Sequence, residues 1–219
     1  MSTTLSPSGR AVIYAGGRLG TWALEIAKEG DYLIGADRGA AFLVRHGLAP
    51  DLALGDFDSV TERQLHEIAA RSAALVACDA VDKDWTDSEL ALREALERGY
   101  TDIVLAGALG TRFDHGLANV HLLRQAYERG GRLVLADEHN EIRLCADELE
   151  LAADPRFPYV SLLPLGLEAT GITLEGFRYP LRDATLKLGW SLGISNELAA
   201  ESGRISVRNG LLLVIRSRD

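Results

Sequence analysis

Cysteine is scarce in this 219-residue chain: Cys78 and Cys145 stand far apart and form no Cys-x-x-Cys pair. A disulfide framework is thereby excluded, and both residues are expected to be small reduced core side chains. Positive charge is also in deficit, with 23 Lys+Arg against 32 Asp+Glu and a formal net charge of -9. No basic run reverses that balance locally, so a nucleic-acid surface is excluded, and a metal ion or a cationic small molecule is the natural partner. No apolar run reaches the roughly 20 residues of a membrane helix. The segment 1–10 is polar and lacks the apolar core of a secretory signal. The expectation is a soluble, cytoplasmic protein with no membrane and no nucleic-acid partner. Several catalytic signatures are missing too. The histidines at 46, 66, 115, 121 and 139 form no H-x-x-x-H pair. There is no Gly-Lys-Ser/Thr of a Walker loop and no G-x-G-x-x-G. His66 and His121 are expected on helix surfaces, and only His115, next to Asp114, near a site.

What the chain does have is an apolar fraction of 47%, enough for an ordinary core, and a regular alternation. Apolar runs at 11–15, 32–36, 52–54, 74–77, 103–106 and 133–136 read as buried strands. Between them, 22–28, 40–46, 61–71, 87–98 and 114–129 have helical spacing, with Thr61 as an N-cap and Gly47, Gly99 and Gly130 as stops. This alternation predicts a Rossmann-like parallel sheet flanked by helices over residues 1–140, with ligands outside the carboxyl ends of its strands. From 141 to 219 the segments shorten, with Gly and Pro between them, and no helix is expected. Strands are predicted at 141–144, 159–163, 172–174, 185–188, 204–208 and 211–215, with an Asn209-Gly210 hairpin and a linker at 153–158. The fold class is therefore α/β with a smaller C-terminal all-β sandwich domain.

Acidic residues follow the strands of the first domain. Asp37-Arg38-Gly39 follows the second, Gly55-Asp56-Phe57-Asp58-Ser59 the third, Asp82 to Asp87 the fourth, and Gly107 to His115 the fifth. Any one of these aspartates is more often a cap or a turn former, as Asp51 after Pro50 is expected to be, and Asp114 in part. Together they converge on one rim of the sheet, where uncompensated like charges destabilise the fold. A divalent cation removes that cost, and carboxylate oxygens suit Mg²⁺ sharing its shell with phosphates. Asp37, Asp56, Asp58 and Asp87 are the candidate ligands, and Gly55 permits the curl that turns Asp56 and Asp58 to one ion. Gly16-Gly17 and Gly107 to Gly110 leave backbone N–H groups near helix starts, where phosphates bind. Arg112 and Lys83, set inside acidic loops, supply the expected positive charge, with Arg18 a weaker candidate.

These stretches together resemble the thiamine pyrophosphokinase (thiamine diphosphokinase) family. The similarity runs through nearly the whole chain: Asp37-Arg38-Gly39-Ala40, Pro50-Asp51 leading to the Gly55–Ser59 motif, Lys83-Asp84-Trp85-Thr86-Asp87, Gly110-Thr111-Arg112-Phe113-Asp114-His115, and Gly193-Ile194-Ser195-Asn196-Glu197. The resemblance implies an ATP- and Mg²⁺-binding catalytic domain, a thiamine-binding β-sandwich, and a homodimer with active sites in clefts between subunits. It implies transfer of the diphosphate of ATP to the hydroxyl of thiamine, releasing AMP. Asp37, Asp56, Asp58 and Asp87 would surround Mg²⁺. Lys83, Thr86, Arg112 and Asp114 would serve the nucleotide, with Gly16 and Gly17 in the cradle, and Ser195 and Asn196 would lie by the thiamine. Asp56, Asp58 and Asp87 are the catalytic candidates, and either Asp58 or Asp87 would take the hydroxyl proton. Leu198 and Ala199 stand where the family often has a larger aromatic. Trp190 is either its replacement or a β-domain core residue. Two alternatives stand beside this: a diphosphokinase for another hydroxymethyl heterocycle such as 6-hydroxymethylpterin, and a non-catalytic thiamine or nucleotide sensor.

Overall fold

A computed structural model describes residues 9–77, 84–110 and 112–219. The chain divides into two compact units, Met1–Glu138 and His139–Asp219. Lys83, Thr111 and Cys78 lie outside the described residues.

The first unit is built on strands β1 (Ala11–Tyr14), β2 (Tyr32–Ala36), β3 (Leu52–Gly55), β4 (Ala74–Ala77), β5 (Asp102–Ala106) and β6 (Arg132–Ala136). All five pairings among them are parallel, in the spatial order β6-β5-β1-β2-β3-β4. Parallel strands covered on both faces are apolar throughout, which is why β1 reads Ala-Val-Ile-Tyr with every residue buried. Helices α1 (Arg38–Arg45), α2 (Glu62–Arg71), α3 (Asp87–Glu97) and α4 (Phe113–Glu128) connect the strands. Thr61 caps α2 in a reciprocal box with Gln64. The helix expected at 22–28 is instead a short 3₁₀ turn, Thr21–Glu25. Its start at Gly20 has no side-chain cap, and Gly30 interrupts the segment soon after, so there is no length for an α-helix to propagate.

The chain runs outward from β1 to β4 on one side, then returns to place β5 on the other side of β1. The gap above β1 and β5 is the point where strand order reverses, which is where open parallel sheets bind ligands. Two glycines are needed to form it. A Cβ on Gly39 would lie 1.8 Å from the Tyr14 carbonyl oxygen, so only glycine lets the first turn of α1 press onto the end of β1. A Cβ on Gly17 would lie 2.1 Å from the Gly107 oxygen, so the turns after β1 and β5 touch backbone to backbone.

The second unit is a sandwich of two antiparallel sheets. One has the order β12-β9-β14-β7, from β7 (Asn140–Cys145), β9 (Tyr159–Pro164), β12 (Asn196–Glu197) and β14 (Leu212–Ser217). The other has the order β11-β10-β13-β8, from β8 (Glu148–Ala152), β10 (Glu168–Glu175), β11 (Ala184–Lys187) and β13 (Ser202–Ser206). Alternate residues such as Val160, Leu162, Ile172, Leu174, Ile205 and Val214 form the buried layer between them.

Two expectations fail here. Asn209-Gly210 does not close a hairpin, because β13 pairs with β10 and β8 while β14 pairs with β7 and β9. The pair turns the corner from one sheet to the other: Asn209 bridges to Thr170, and a Cβ on Gly210 would meet the Glu168 oxygen at 2.8 Å. The segment 153–158 is no interdomain linker but joins β8 to β9 inside this unit, held by an Asp154–Arg156 ion pair. Strands β8 and β12 were not anticipated, since their apolar content is too low to stand out. Cys145 is buried and free, and burial pushes its thiol up to about 11.

Candidate active site

The strand exits of the first unit end in unusual backbone. Asp37, directly after β2, sits in the left-handed region with φ 52°, and Phe57, in the loop after β3, with φ 56°. Gly55 between them has φ 136°. Non-glycine residues adopt such angles at a cost, and they persist where the surroundings dictate them. Their effect is to turn the side chains of two successive strand exits toward each other. Carboxylate oxygens of Asp37, Asp56 and Asp58 all lie within 4.8 Å of one another.

The cluster is graded in burial. Asp37 is buried, at 9% exposure, while Asp58 is exposed. The Ser59 hydroxyl donates to Asp37 Oδ2, and the Asp58 backbone N–H donates to Asp56 Oδ1 at 3.2 Å. Asp37 Oδ1 is buried with no hydrogen-bond partner. Burial pushes the Asp37 carboxyl above its ordinary value. Its hydrogen bond with Ser59 opposes that shift, and the nearby charges of Asp87 and Asp56 add to it. An orphaned buried carboxylate oxygen inside a triad of hard oxygen donors fits a divalent cation such as Mg²⁺. Among the described residues Asp87 is not in this triad; it lies at the start of α3, where its charge reaches Asp37.

Beside the triad lies a cavity of about 700 Å³ at the switch point. Gly16 and Gly17 form one wall and Gly107, Ala108 and Gly110 another, and Asp37, Asp87, Thr86, Arg112 and His115 also line it. The predicted glycine turns, Asp37, the segment 84–87 and His115 therefore share one space, while Asp56 and Asp58 do not line it. Thr86 has a structural task as well, capping α3 by accepting from the Glu89 N–H at 3.3 Å. Arg112 and Asp114 form an exposed ion pair at 2.6 Å, which holds the Asp114 carboxyl below the ordinary range. Asp114 does not line the cavity, so its contact with the space runs through Arg112. Asp51, read as turn chemistry, accepts from the Leu33 N–H at 2.7 Å and fixes β2 beside β3.

In the second unit, Ser195 has φ 56° and donates its N–H to Ser161 Oγ at 3.0 Å. Asn196 is buried, and its amide is occupied by backbone. It accepts from the N–H groups of Tyr179 and Glu197 and donates to the Tyr179 carbonyl at 2.8 Å. Its side chain thus holds the Tyr179 backbone in place. Trp190 is 64% exposed, which excludes the core reading, and Lys187 Nζ lies 5.6 Å from its ring.

Two cavity-lining residues were given no role from the sequence, although Trp85 lies inside one of its motifs. Asn119 is a buried polar residue whose amide donates to the Ala108 carbonyl at 2.8 Å, tying the turn after β5 to α4. Its spacing to Leu122, Leu123 and Ala126 on the buried face of α4 is the available signal. Trp85 lines the cavity with the Arg93 guanidinium 4.2 Å over its ring, a pairing visible only in three dimensions.

A switch-point cavity in a parallel sheet, glycine turns that free backbone N–H groups, and an acidic triad suited to a cation define a phosphate-handling α/β protein. Comparison with known families is more specific. Residues 23–135 match "Thiamin pyrophosphokinase, catalytic domain" and residues 147–212 match "Thiamin pyrophosphokinase, vitamin B1 binding domain". A curated relative, thiamine pyrophosphokinase of Bacillus subtilis, is 38% identical over 187 residues, 85% of this chain and 87% of the relative. The crystal structure of thiamine pyrophosphokinase from Bacillus subtilis superposes with a TM-score of 0.88 at 35% identity, covering 97% of this chain and 100% of that one. Yeast thiamin pyrophosphokinase shares the fold, with a TM-score of 0.79 at 14% identity over 99% of this chain and 88% of that one. The chain belongs to the thiamin pyrophosphokinase family.

Proposed function

We propose that this chain performs its family's reaction, thiamine diphosphokinase, with ATP as co-substrate and Mg²⁺ as cofactor, giving thiamine diphosphate and AMP. The observation that carries the reading is the triad of Asp37, Asp56 and Asp58, with its one buried unpartnered oxygen, beside a cavity lined by two glycine turns.

The thiamine hydroxyl oxygen attacks the β-phosphorus, and the bond from that phosphorus to the α,β-bridging oxygen breaks, releasing AMP. Negative charge spreads over phosphoryl oxygens, so the protein's work is orientation and electrostatic stabilisation. Backbone N–H groups freed by Gly16, Gly17 and Gly107 to Gly110 cradle phosphates, and Arg112 contributes positive charge at the rim. Lys83, outside the described residues, takes the same role. Asp58 or Asp87 accepts the hydroxyl proton. When bound by Asp37, Asp56 and Asp58, with Asp87 around it, Mg²⁺ supplies neutralisation of the polyphosphate charge. Asn196 and Ser195 belong to the thiamine side, Asn196 as the residue that positions the Tyr179 backbone and Ser195 as a contact. A homodimer with active sites in clefts between subunits is supported by exposed Leu188, Trp190, Leu192 and Ile194 on the second unit, apolar side chains that a partner would cover. The reduced, buried Cys145 suits the cytoplasm.

Incubating purified protein with ATP, Mg²⁺ and either thiamine or 6-hydroxymethylpterin separates the readings. AMP and thiamine diphosphate are expected with thiamine only. Product from the pterin alone selects the other heterocycle, and thiamine binding without AMP selects a sensor. Asp56→Asn and Asp58→Asn are each expected to lose most turnover while remaining folded; near-normal rates in both refute the metal site.

A further inference from the structure

Helix α1 carries a second feature that the reaction above leaves unused. Arg38 and Arg45 are seven residues apart, two helical turns, and so share one face with Ala41 and Phe42. That face lines a separate cavity of about 280 Å³, closed by Gly17 on one side and by Ser59 and Gln64 on the other. Its lining is mostly polar, which suits a phosphate group. Among the described residues neither guanidinium has a carboxylate within ion-pair range, in a chain whose formal net charge is -9. Arg38 also occupies the first turn of α1, where the positive end of the helix disfavours a cation and an added anion reverses the sign of the interaction. Two planar donor forks facing one small polar space are the usual means of holding phosphate oxygens. Arg38 and Gly17 also line the larger cavity, so the two spaces are neighbours with a shared wall.

We propose that this pocket is a second anion site, in which Arg38 and Arg45 take a phosphate group. The phosphate can come from two sources: the far end of a polyphosphate whose other end lies in the larger cavity, or a free inorganic diphosphate. The first source rests on the nucleotide reading of that cavity; the second does not. Calorimetric titration of the full chain, without thiamine and therefore without turnover, decides. The probes are AMP, ATP, inorganic tripolyphosphate, and inorganic diphosphate added to AMP-saturated protein. Arg45→Gln is expected to weaken tripolyphosphate binding about tenfold, the scale of one charge-assisted hydrogen bond, and to leave AMP unchanged. Loss confined to ATP and tripolyphosphate identifies the polyphosphate tail, and loss of diphosphate from AMP-saturated protein identifies a free anion; both support the site. Equal affinities of wild type and Arg45→Gln for all three phosphate-rich probes overturn it. So does a loss of AMP affinity as large as the loss for tripolyphosphate, or a wild type that binds neither inorganic probe. If Arg45→Gln proves unstable in a thermal melt, Arg45→Lys, which keeps the charge without the fork, is read in the same titrations, and a smaller loss on the same probes is expected. Failure of the protein to form thiamine diphosphate leaves these binding results untouched.

Discussion

Replacing Asp37 by asparagine should stabilise the metal-free protein while removing its response to Mg²⁺. Oxygens of Asp37, Asp56 and Asp58 lie within 4.8 Å of one another. A like-charge pair at that distance costs about 1 kcal/mol in a water-like dielectric and about 3.5 kcal/mol at an effective value of about 20. Asp58 is exposed and Asp37 buried, so the pairs fall between those limits. Asp37→Asn removes both pairs that involve Asp37, at the loss of roughly 1 kcal/mol as the Ser59 hydrogen bond becomes neutral. The net gain lies between about 1 and about 6 kcal/mol, a rise of at least roughly 2–4 °C in Tm for a chain of this size. The sign with pH follows from the raised Asp37 carboxyl. Both folded and unfolded chains are protonated below the ordinary carboxylate value, so the cost is absent in acid and grows as pH rises through the folded value. The gain from Asp37→Asn should therefore be full at neutral pH and vanish in acid. Mg²⁺ at a hundred times its Kd should stabilise the wild type by about 2.7 kcal/mol and the variant far less. Thermal melts in EDTA and in Mg²⁺, at neutral and acid pH, measure all of this. A variant that melts lower than wild type in EDTA and still gains from Mg²⁺ refutes the triad as a cation site.

Two further outcomes follow from single contacts. Asn119→Ala leaves the Ala108 carbonyl without its buried donor, at a cost of about 1–3 kcal/mol; the loosened turn at 107–110 should raise the KM for ATP more than that for thiamine, and equal changes in both would refute its assignment to the phosphate cradle. Asp154→Ala breaks the pair with Arg156, which holds the Asp154 carboxyl below its ordinary value. That pair contributes under about 1 kcal/mol, since Arg156 is largely exposed. Its contribution is present above the ordinary value of 3.8 and lost as pH falls through the folded value. Urea titrations of the two proteins should therefore converge in acid, and a gap that widens there contradicts the sign.

The parallel sheet was legible because buried strands are continuous apolar runs and the helices between them carry clear stops. Both ranges 32–36 and 74–77 reappear unchanged as β2 and β4, but β4, at the end of the sheet order, is exposed along its length rather than buried as its apolar run suggested. The second unit was harder. Its strands alternate, so Glu148–Ala152 offers only Leu149 and Leu151 as apolar signal, and the Asn209-Gly210 pair gives the same local cue whether it closes a hairpin or turns a corner between sheets. The deciding fact is which strands pair at long range, and that is set by the core around Ile172, Ile205 and Val207 rather than by the turn.

The site shows a sharper division between chemistry and geometry. Residue type and position placed Asp37, Asp56 and Asp58 at strand exits, but not the backbone that joins them. Four described non-glycine residues have positive φ: Asp37, Phe57, Asp183 and Ser195. Three of the four lie inside the motifs that the sequence singled out for chemistry, at 37–40, 55–59 and 193–197. Local propensity argues against these conformations, so their concentration there marks places where packing has overridden the chain's own preference. At Asp37 the enforcing contact is identifiable: Gly39 lets α1 seat on the end of β1, and the Asp37 N–H is held by the Leu54 carbonyl at 2.8 Å. The carboxylate is thus fixed before any ligand arrives, and a cation that binds it need not order the loop. Preorganisation of this kind requires that the sheet be formed first. The geometry of the acidic triad is therefore a consequence of the β1–β2–β3 packing, and substitutions at Gly39 should remove any Mg²⁺ stabilisation in thermal melts as completely as loss of the aspartates themselves.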